Sequence, residues 1–169
     1  TQIAEQLGHL RYFDLLRAYY VDLSDGIIDH GGEIYQYVGD EVVVSWPVEE
    51  GLKNRQCIDC FAAMKRDLQQ RGDWYRQHFG VVPDFKAGLH VGAVTTGEIG
   101  ALKKEIIFTG DVLNATARIQ GLCNRYGVDL LISGDLVERL DLGAAYTARP
   151  LGHHRLRGKA QEIELFTLA

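Results

Sequence analysis

From Leu10 onward, apolar positions recur at three- and four-residue steps: Leu10, Phe13, Leu16, Tyr20, Leu23 and Ile27. That stripe predicts an amphipathic helix with one face in the core, ended by Gly31-Gly32. The period then changes. Glu33–Val38 alternates, Gly39-Asp40 follows, and Val42-Val43-Val44 is a β-branched run stopped by Pro47. This reads as a β-hairpin with an acidic tip. A second helix is predicted over 52–79, with Cys57, Phe61, Met64, Leu68 and Tyr75 on one face and Gly80 closing it. Strands over 85–91 and 93–99, hinged at Gly92, end at Gly100, and Glu105–Thr109 is a short strand running into a helix over 111–126. The apolar stripe of that helix is Val112, Ala115, Ile119, Leu122 and Tyr126. A strand over 129–132, a helix over 135–140 and strands near 145–151 and Glu162–Leu168 complete the chain. Strands and helices alternating with hairpins between them imply helices packed on a largely antiparallel sheet, an α+β or α/β sandwich.

Composition narrows this picture without redirecting it. The chain has 169 residues, 46% hydrophobic and 24% charged, with a net charge of −5. That length suits one domain over 1–169 with a sizeable core. No apolar run approaches membrane-spanning length, and no charged-then-apolar segment at the start reads as a signal peptide. The acidic balance and scattered Lys and Arg argue against a broad nucleic-acid surface, so an anionic ligand must be met by a few placed cations. Cys57 and Cys60 form a C-x-x-C with no second pair, on a helix rather than just after a strand. That fits neither a zinc ribbon nor a redox motif. With Cys123 they read as buried, reduced thiols, and the domain as cytoplasmic.

Three places carry chemistry. Asp40 sits at a tight turn between two strands, where a carboxylate is held rigidly outward, as a Mg²⁺ ligand must be; Gly-Asp is equally good turn chemistry. One Asp alone cannot retain a hard divalent ion, and Glu41 is a weaker second because it begins the next strand. Asn114 and Arg118, spaced i, i+4, share one helix face beside the apolar stripe. Asp111 is placed to cap that helix after Gly110, and a helix N-terminus with an Arg nearby suits phosphate; a solvated Asn and a surface Arg fit the spacing as well. Arg155-Leu156-Arg157-Gly158-Lys159 is the densest basic cluster, either a triphosphate clamp or a solvated hairpin tip. His153 and His154 are adjacent, so on a strand they point to opposite faces and cannot share a metal.

The long helix, the Gly-Gly turn, the Gly39-Asp40 hairpin, the Gly88, Gly92, Gly97 and Gly100 series, the segment over 110–118 and Arg157-Gly158-Lys159 occur in one order. In that ordered set, over nearly its whole length, the chain resembles the catalytic domain of the class III nucleotidyl cyclases. The resemblance implies a ferredoxin-like sandwich, two copies pairing head to tail as a homodimer with shared active sites, and two Mg²⁺ or Mn²⁺ ions. It assigns Asp40 to metal binding, Asn114 and Arg118 to orienting the ribose and stabilising the pentavalent phosphorus, and Arg157 to the triphosphate. An Arg at that last position can bind phosphate oxygens bidentately. The family's other metal aspartate lies on a first strand before a Phe-Thr or Ser-Thr step. Thr1 is similar to that threonine, which counts it with the substrate-binding positions and places the first strand upstream.

Gln36 falls where the family reads the base with a Lys, and Ile107 where its partner is Asp or Thr. Gln36 can donate and accept on a purine edge; Ile107 contributes packing alone. A lost hydrogen bond to the base weakens discrimination by about 1–3 kcal/mol. Guanylate cyclases use Glu and Cys-like partners at these places, and the chain has neither, so ATP is expected over GTP. The implied reaction is attack of the ribose 3′-hydroxyl on the α-phosphate with loss of pyrophosphate, by two-metal chemistry, in the output domain of a longer, regulated signalling protein that could be membrane-tethered. The alternatives are a degenerate domain that binds nucleotide or dimerises without turnover, favoured by Gln36 and Ile107, and a cyclase of relaxed or GTP specificity. A diguanylate cyclase shares the Gly-acidic hairpin but has no place for the segment over 110–118.

Overall fold

The computed structural model describes residues 2–99, 105–156 and 162–169, and the chain divides after Phe85 into two units with separate apolar cores. The first unit runs α1 (Gln2–Leu7), α2 (His9–Asp29), β1 (Glu33–Val38), β2 (Glu41–Ser45), α3 (Val48–Leu52), a 3₁₀ turn (Lys53–Arg55), α4 (Gln56–Gln70) and α5 (Gly72–Phe79). Its core is Leu15, Tyr19, Leu23 and Ile27 of α2 against Cys60, Met64 and Leu68 of α4 and Tyr75 of α5. The stripe therefore starts on another phase than expected, for Leu10 is 84% and Phe13 68% exposed. The helix carries apolar side chains nearly all round, with Val21 and Ile28 also exposed, so spacing alone fits more than one face.

The helix expected over 52–79 is broken twice. It begins only at Gln56, after Asn54 and Arg55 take positive φ of 52° and 49°, and it is interrupted at Arg71. There the Arg71 Nε donates to Asp22 Oδ2 at 3.2 Å, the Tyr75 hydroxyl donates to the same oxygen at 2.5 Å, and the guanidinium lies 4.1 Å from the Trp74 ring centroid. Bonds back to α2 thus fix the kink between α4 and α5. Cys57 and Cys60 are buried and free, and burial pushes their thiols up to about 11 and about 12. They behave as apolar core side chains, as expected of buried, reduced thiols.

The second unit runs β3 (Ala87–Leu89), β4 (Thr95–Ile99), β5 (Glu105–Thr109), α6 (Asp111–Gly121), α7 (Cys123–Tyr126), β6 (Leu130–Ser133), α8 (Gly134–Val137), β7 (Ala148–Arg155) and β8 (Glu162–Leu168). Pairing is mostly antiparallel, in a four-stranded sheet ordered β3-β6-β8-β7 and a β4-β5 ribbon; β3 and β6 alone are parallel among the described strands. The hairpin expected around Gly92 does not form, because β3 pairs with β6 and β4 with β5. The reason lies at Gly88: a Cβ there would stand 2.6 Å from the Gln120 backbone nitrogen, so β3 runs directly against α6, as a crossover between parallel strands allows. Ala115 and Ile119 of α6, Cys123, Leu131, Leu156 and Leu165 form the core. The helix expected over 111–126 breaks at Leu122, and α8 is shorter than predicted. Strand β7 extends to Arg155 past a bulge at Leu151, between Pro150 and Gly152. Among the described residues no helix is long and apolar enough to cross a membrane.

Candidate active site

Asp40 occupies the second place of the two-residue loop joining β1 and β2, where Val38 pairs with Glu41. Gly39 takes φ 60°, a conformation that costs a glycine little and suits the first position of a type II′ hairpin turn. Asp40 is exposed. The loop is not left to itself. The Tyr20 hydroxyl, reaching across from α2, donates to the Gly39 carbonyl at 2.5 Å and lies 3.3 Å from the Glu41 carbonyl. Its ring stacks at a tilt on Tyr37 with centroids 4.2 Å apart. Burial, and after it the Asp40 charge, push the Tyr20 hydroxyl up to about 12, so it remains a donor at neutral pH. Sequence reasoning assigned Tyr20 to the core stripe and missed this contact; nothing in the chain's pattern marks it. Gln36 is exposed on β1 opposite Val43, immediately after a register shift between Ile34 and Gln36. The expected strict alternation of β1 is broken there, and bulges re-aim the side chains beside them.

The other half of the predicted site lies in the second unit. Strand β5 leads through Gly110, φ 125°, into α6. Gly110, not Asp111, is the N-cap, with no side-chain cap bond, which corrects the expected capping role. Asp111 is instead the first helical residue, where its charge still complements the helix dipole. Asn114 and Arg118 are exposed on α6 while Ala115 and Ile119 are fully buried, so the helix presents the pair beside its core face as their spacing required. Ile107 lies in β5 opposite Gly97; its side chain lies outside the described residues. So do Thr1 and Arg157. Of the basic cluster, Arg155 ends β7 opposite Glu162, and Leu156 is buried. His153 and His154 have separate partners, Glu164 at 3.6 Å and the Tyr126 hydroxyl at 3.3 Å.

The chain is 33% identical over 168 residues, 99% of its length, to adenylate cyclase 2 of Rhizobium meliloti. Its fold matches the crystal structure of the adenylyl cyclase CyaB from P. aeruginosa with a TM-score of 0.80 at 20% identity, over 99% of this chain and 87% of that one. The chain is thus similar along its length to an adenylate cyclase and shares the fold of adenylyl and guanylyl cyclase catalytic domains. A guanylyl cyclase structure matches the chain as well in fold, with a TM-score of 0.82 at 21% identity over 99% of the chain and 85% of that one. The α+β class expected from the pattern is thus the fold of these domains. No protein-family model matches the chain. The domain spans 46% of the Rhizobium cyclase and 34% of an adenylate cyclase of Anabaena cylindrica, so those relatives carry further segments.

Whether the chain can accept a divalent ion is a question of donor chemistry. Among the described residues no three His, Cys, Asp or Glu side chains cluster as a closed metal site. Asp40 offers an exposed carboxylate, hard oxygen on a pinned loop. That fits Mg²⁺ or Mn²⁺, which keep water and bind through one or two carboxylates plus substrate phosphates rather than in a protein cage.

Proposed function

We propose that the chain is the catalytic domain of an adenylate cyclase, converting ATP to cyclic AMP and pyrophosphate within a longer, regulated signalling protein. The identity to a named adenylate cyclase, unbroken over 99% of the chain, carries this reading. In the reaction the 3′-oxygen bonds to the α-phosphorus, the 3′-hydroxyl gives up its proton to solvent water, and the bond from the α-phosphorus to the α,β-bridging oxygen breaks to release pyrophosphate. Asp40 would hold the divalent ions, whose part is to neutralise phosphate charge. Asn114 orients the ribose by its amide. Arg118 meets the negative charge that grows on the phosphoryl oxygens, a contribution strongest at the transition state. Gln36 reads the purine edge, Ile107 adds only packing, Arg157 serves the triphosphate, and Thr1 is counted with the substrate-binding positions. Two copies share each site, Asp40 from one and Asn114 with Arg118 from the other. The work of the residues is positioning and charge stabilisation, with no covalent intermediate.

Turnover with ATP and with GTP, in Mg²⁺ and in Mn²⁺, tests the proposal. Cyclic AMP should form faster than cyclic GMP, and Asp40→Ala should bring product to background. Nucleotide binding without product from either substrate would instead identify a degenerate binding module. Product formation by Asp40→Ala at the wild-type rate would remove Asp40 from the site.

A further inference from the structure

A two-residue hairpin loop is the least constrained part of a β-ribbon, since its central peptide groups point to solvent with no ladder partner. Here the loop carries the side chain on which the active-site reading depends. The ribbon itself is thin, for β1 and β2 pair only with each other among the described strands, and isolated two-stranded ribbons are marginally stable in water. Its outer half, Gln36 to Glu41, is exposed throughout. A carboxylate on such a loop would sample several positions unless something outside the ribbon restrained it.

Tyr20 is that restraint. Its hydroxyl meets the carbonyls of Gly39 and Glu41, the two residues on either side of Asp40, at 2.5 and 3.3 Å. The ring is itself held, tilted against Tyr37 at 4.2 Å and Tyr19 at 5.4 Å between centroids. Its backbone belongs to a 21-residue helix whose neighbouring positions Tyr19 and Leu23 are buried in the core. The chain of support thus runs from packed core to helix, from helix to a fixed aromatic ring, and from one hydroxyl to both sides of the loop. Functional groups gain precision when their supports are locked by packing and hydrogen bonds of this kind. We infer that Tyr20 is a positioning residue, fixing the Gly39-Asp40-Glu41 apex from α2 so that the Asp40 carboxylate is preorganised for a divalent cation. This rests on the reading of Asp40 as a metal ligand given above.

Tyr20→Phe keeps the ring and its contact with Tyr37 and removes only the hydroxyl. Losing one hydrogen-bond donor that preorganises a ligand should raise the Mn²⁺ concentration for half-maximal rate by about three- to tenfold. The KM for ATP at saturating Mn²⁺ should move less than about twofold, since the base and phosphate contacts lie elsewhere. Two measurements do not depend on turnover. Mn²⁺ binding followed by electron paramagnetic resonance, with a non-cyclising ATP analogue present, should weaken by the same factor. Amide hydrogen exchange at Asp40 and Glu41 should quicken, while Leu23 and Cys60 in the core keep their wild-type protection. Wild-type Mn²⁺ affinity and wild-type apex exchange in Tyr20→Phe would overturn the inference, and so would exchange that quickened evenly through the whole first unit. Asp40→Ala separates the two readings. If it loses Mn²⁺ binding while Tyr20→Phe does not, the inference fails and the site stands; if Asp40→Ala binds Mn²⁺ like the wild type, the metal assignment fails and takes the inference with it.

Discussion

Arg118 shows how much one exposed side chain can decide. It stands on α6 one turn after Asn114, beside the fully buried Ala115 and Ile119, so its backbone is fixed by packing while the residue itself is exposed. A cation in that position does little for the ground state of a nucleotide whose charge is already balanced by divalent ions. In the proposed role its value would come when charge builds on the reacting phosphoryl group. Arg118→Ala should therefore lower kcat by about 10²- to 10³-fold, the usual scale for removing one preorganised charge-stabilising donor, with KM for ATP changed by less than about threefold. Steady-state kinetics on the purified variant, with a thermal melt to confirm folding, decide it. A loss confined to KM would recast Arg118 as a ground-state contact. Arg118→Lys should recover only part of the rate, because an ammonium cannot present the planar pair of donors.

At the scale of elements, what was legible in the chain depended on how local its cause was. The β1–β2 hairpin could be read because alternation and Gly39-Asp40 are local signals, and the exposed face of Asn114 and Arg118 because helix periodicity places them without reference to anything else. The break at Arg71 could not, since it is settled by a partner distant in sequence. Arg71 kinks the helix by reaching Asp22, 49 residues away. Tyr20 was invisible for the same reason: its ring counts as apolar, and the carbonyl it holds is 19 residues on. The pairing of β3 is the sharpest instance. Gly92 suggested a hinge between neighbouring strands, whereas Gly88 brings β3 close against α6. Gly88→Ala would place a methyl 2.6 Å from the Gln120 nitrogen and 2.9 Å from its Cα, both backbone atoms that cannot step aside cheaply. The variant should lose about 1–3 kcal/mol of stability. Gly121→Ala, on the same helix with no atom within 4 Å of the added carbon, should instead gain up to about 1 kcal/mol from helix propensity. Urea denaturation of both variants checks the pair, and equal effects would show that the close approach to α6 does not govern Gly88.

For the whole molecule, the decisive matter is that the proposed groups are divided between the two units: Asp40 and Gln36 before Phe85, Asn114 and Arg118 after it. In a homodimer with shared sites, each site draws its metal-binding carboxylate from one copy and its phosphate-facing pair from the other. Such an arrangement makes a demand that a site complete within one copy does not. Asp40→Ala and Arg118→Ala, each nearly inactive alone, should complement when mixed. Random exchange puts half the molecules into mixed dimers, and in each of those one site carries both lesions while the other carries neither. Recovered activity should thus approach about a quarter of wild type, provided subunits exchange freely. It should also fall on dilution along the same curve as the dimer fraction measured by analytical ultracentrifugation. A site confined to one copy predicts no rescue at any mixing ratio, because every copy in the mixture then carries a lesion in its own site. The same experiment bears on regulation. If activity exists only when two copies meet, any segment of the longer protein that changes how this domain pairs can set its output without touching a single catalytic group.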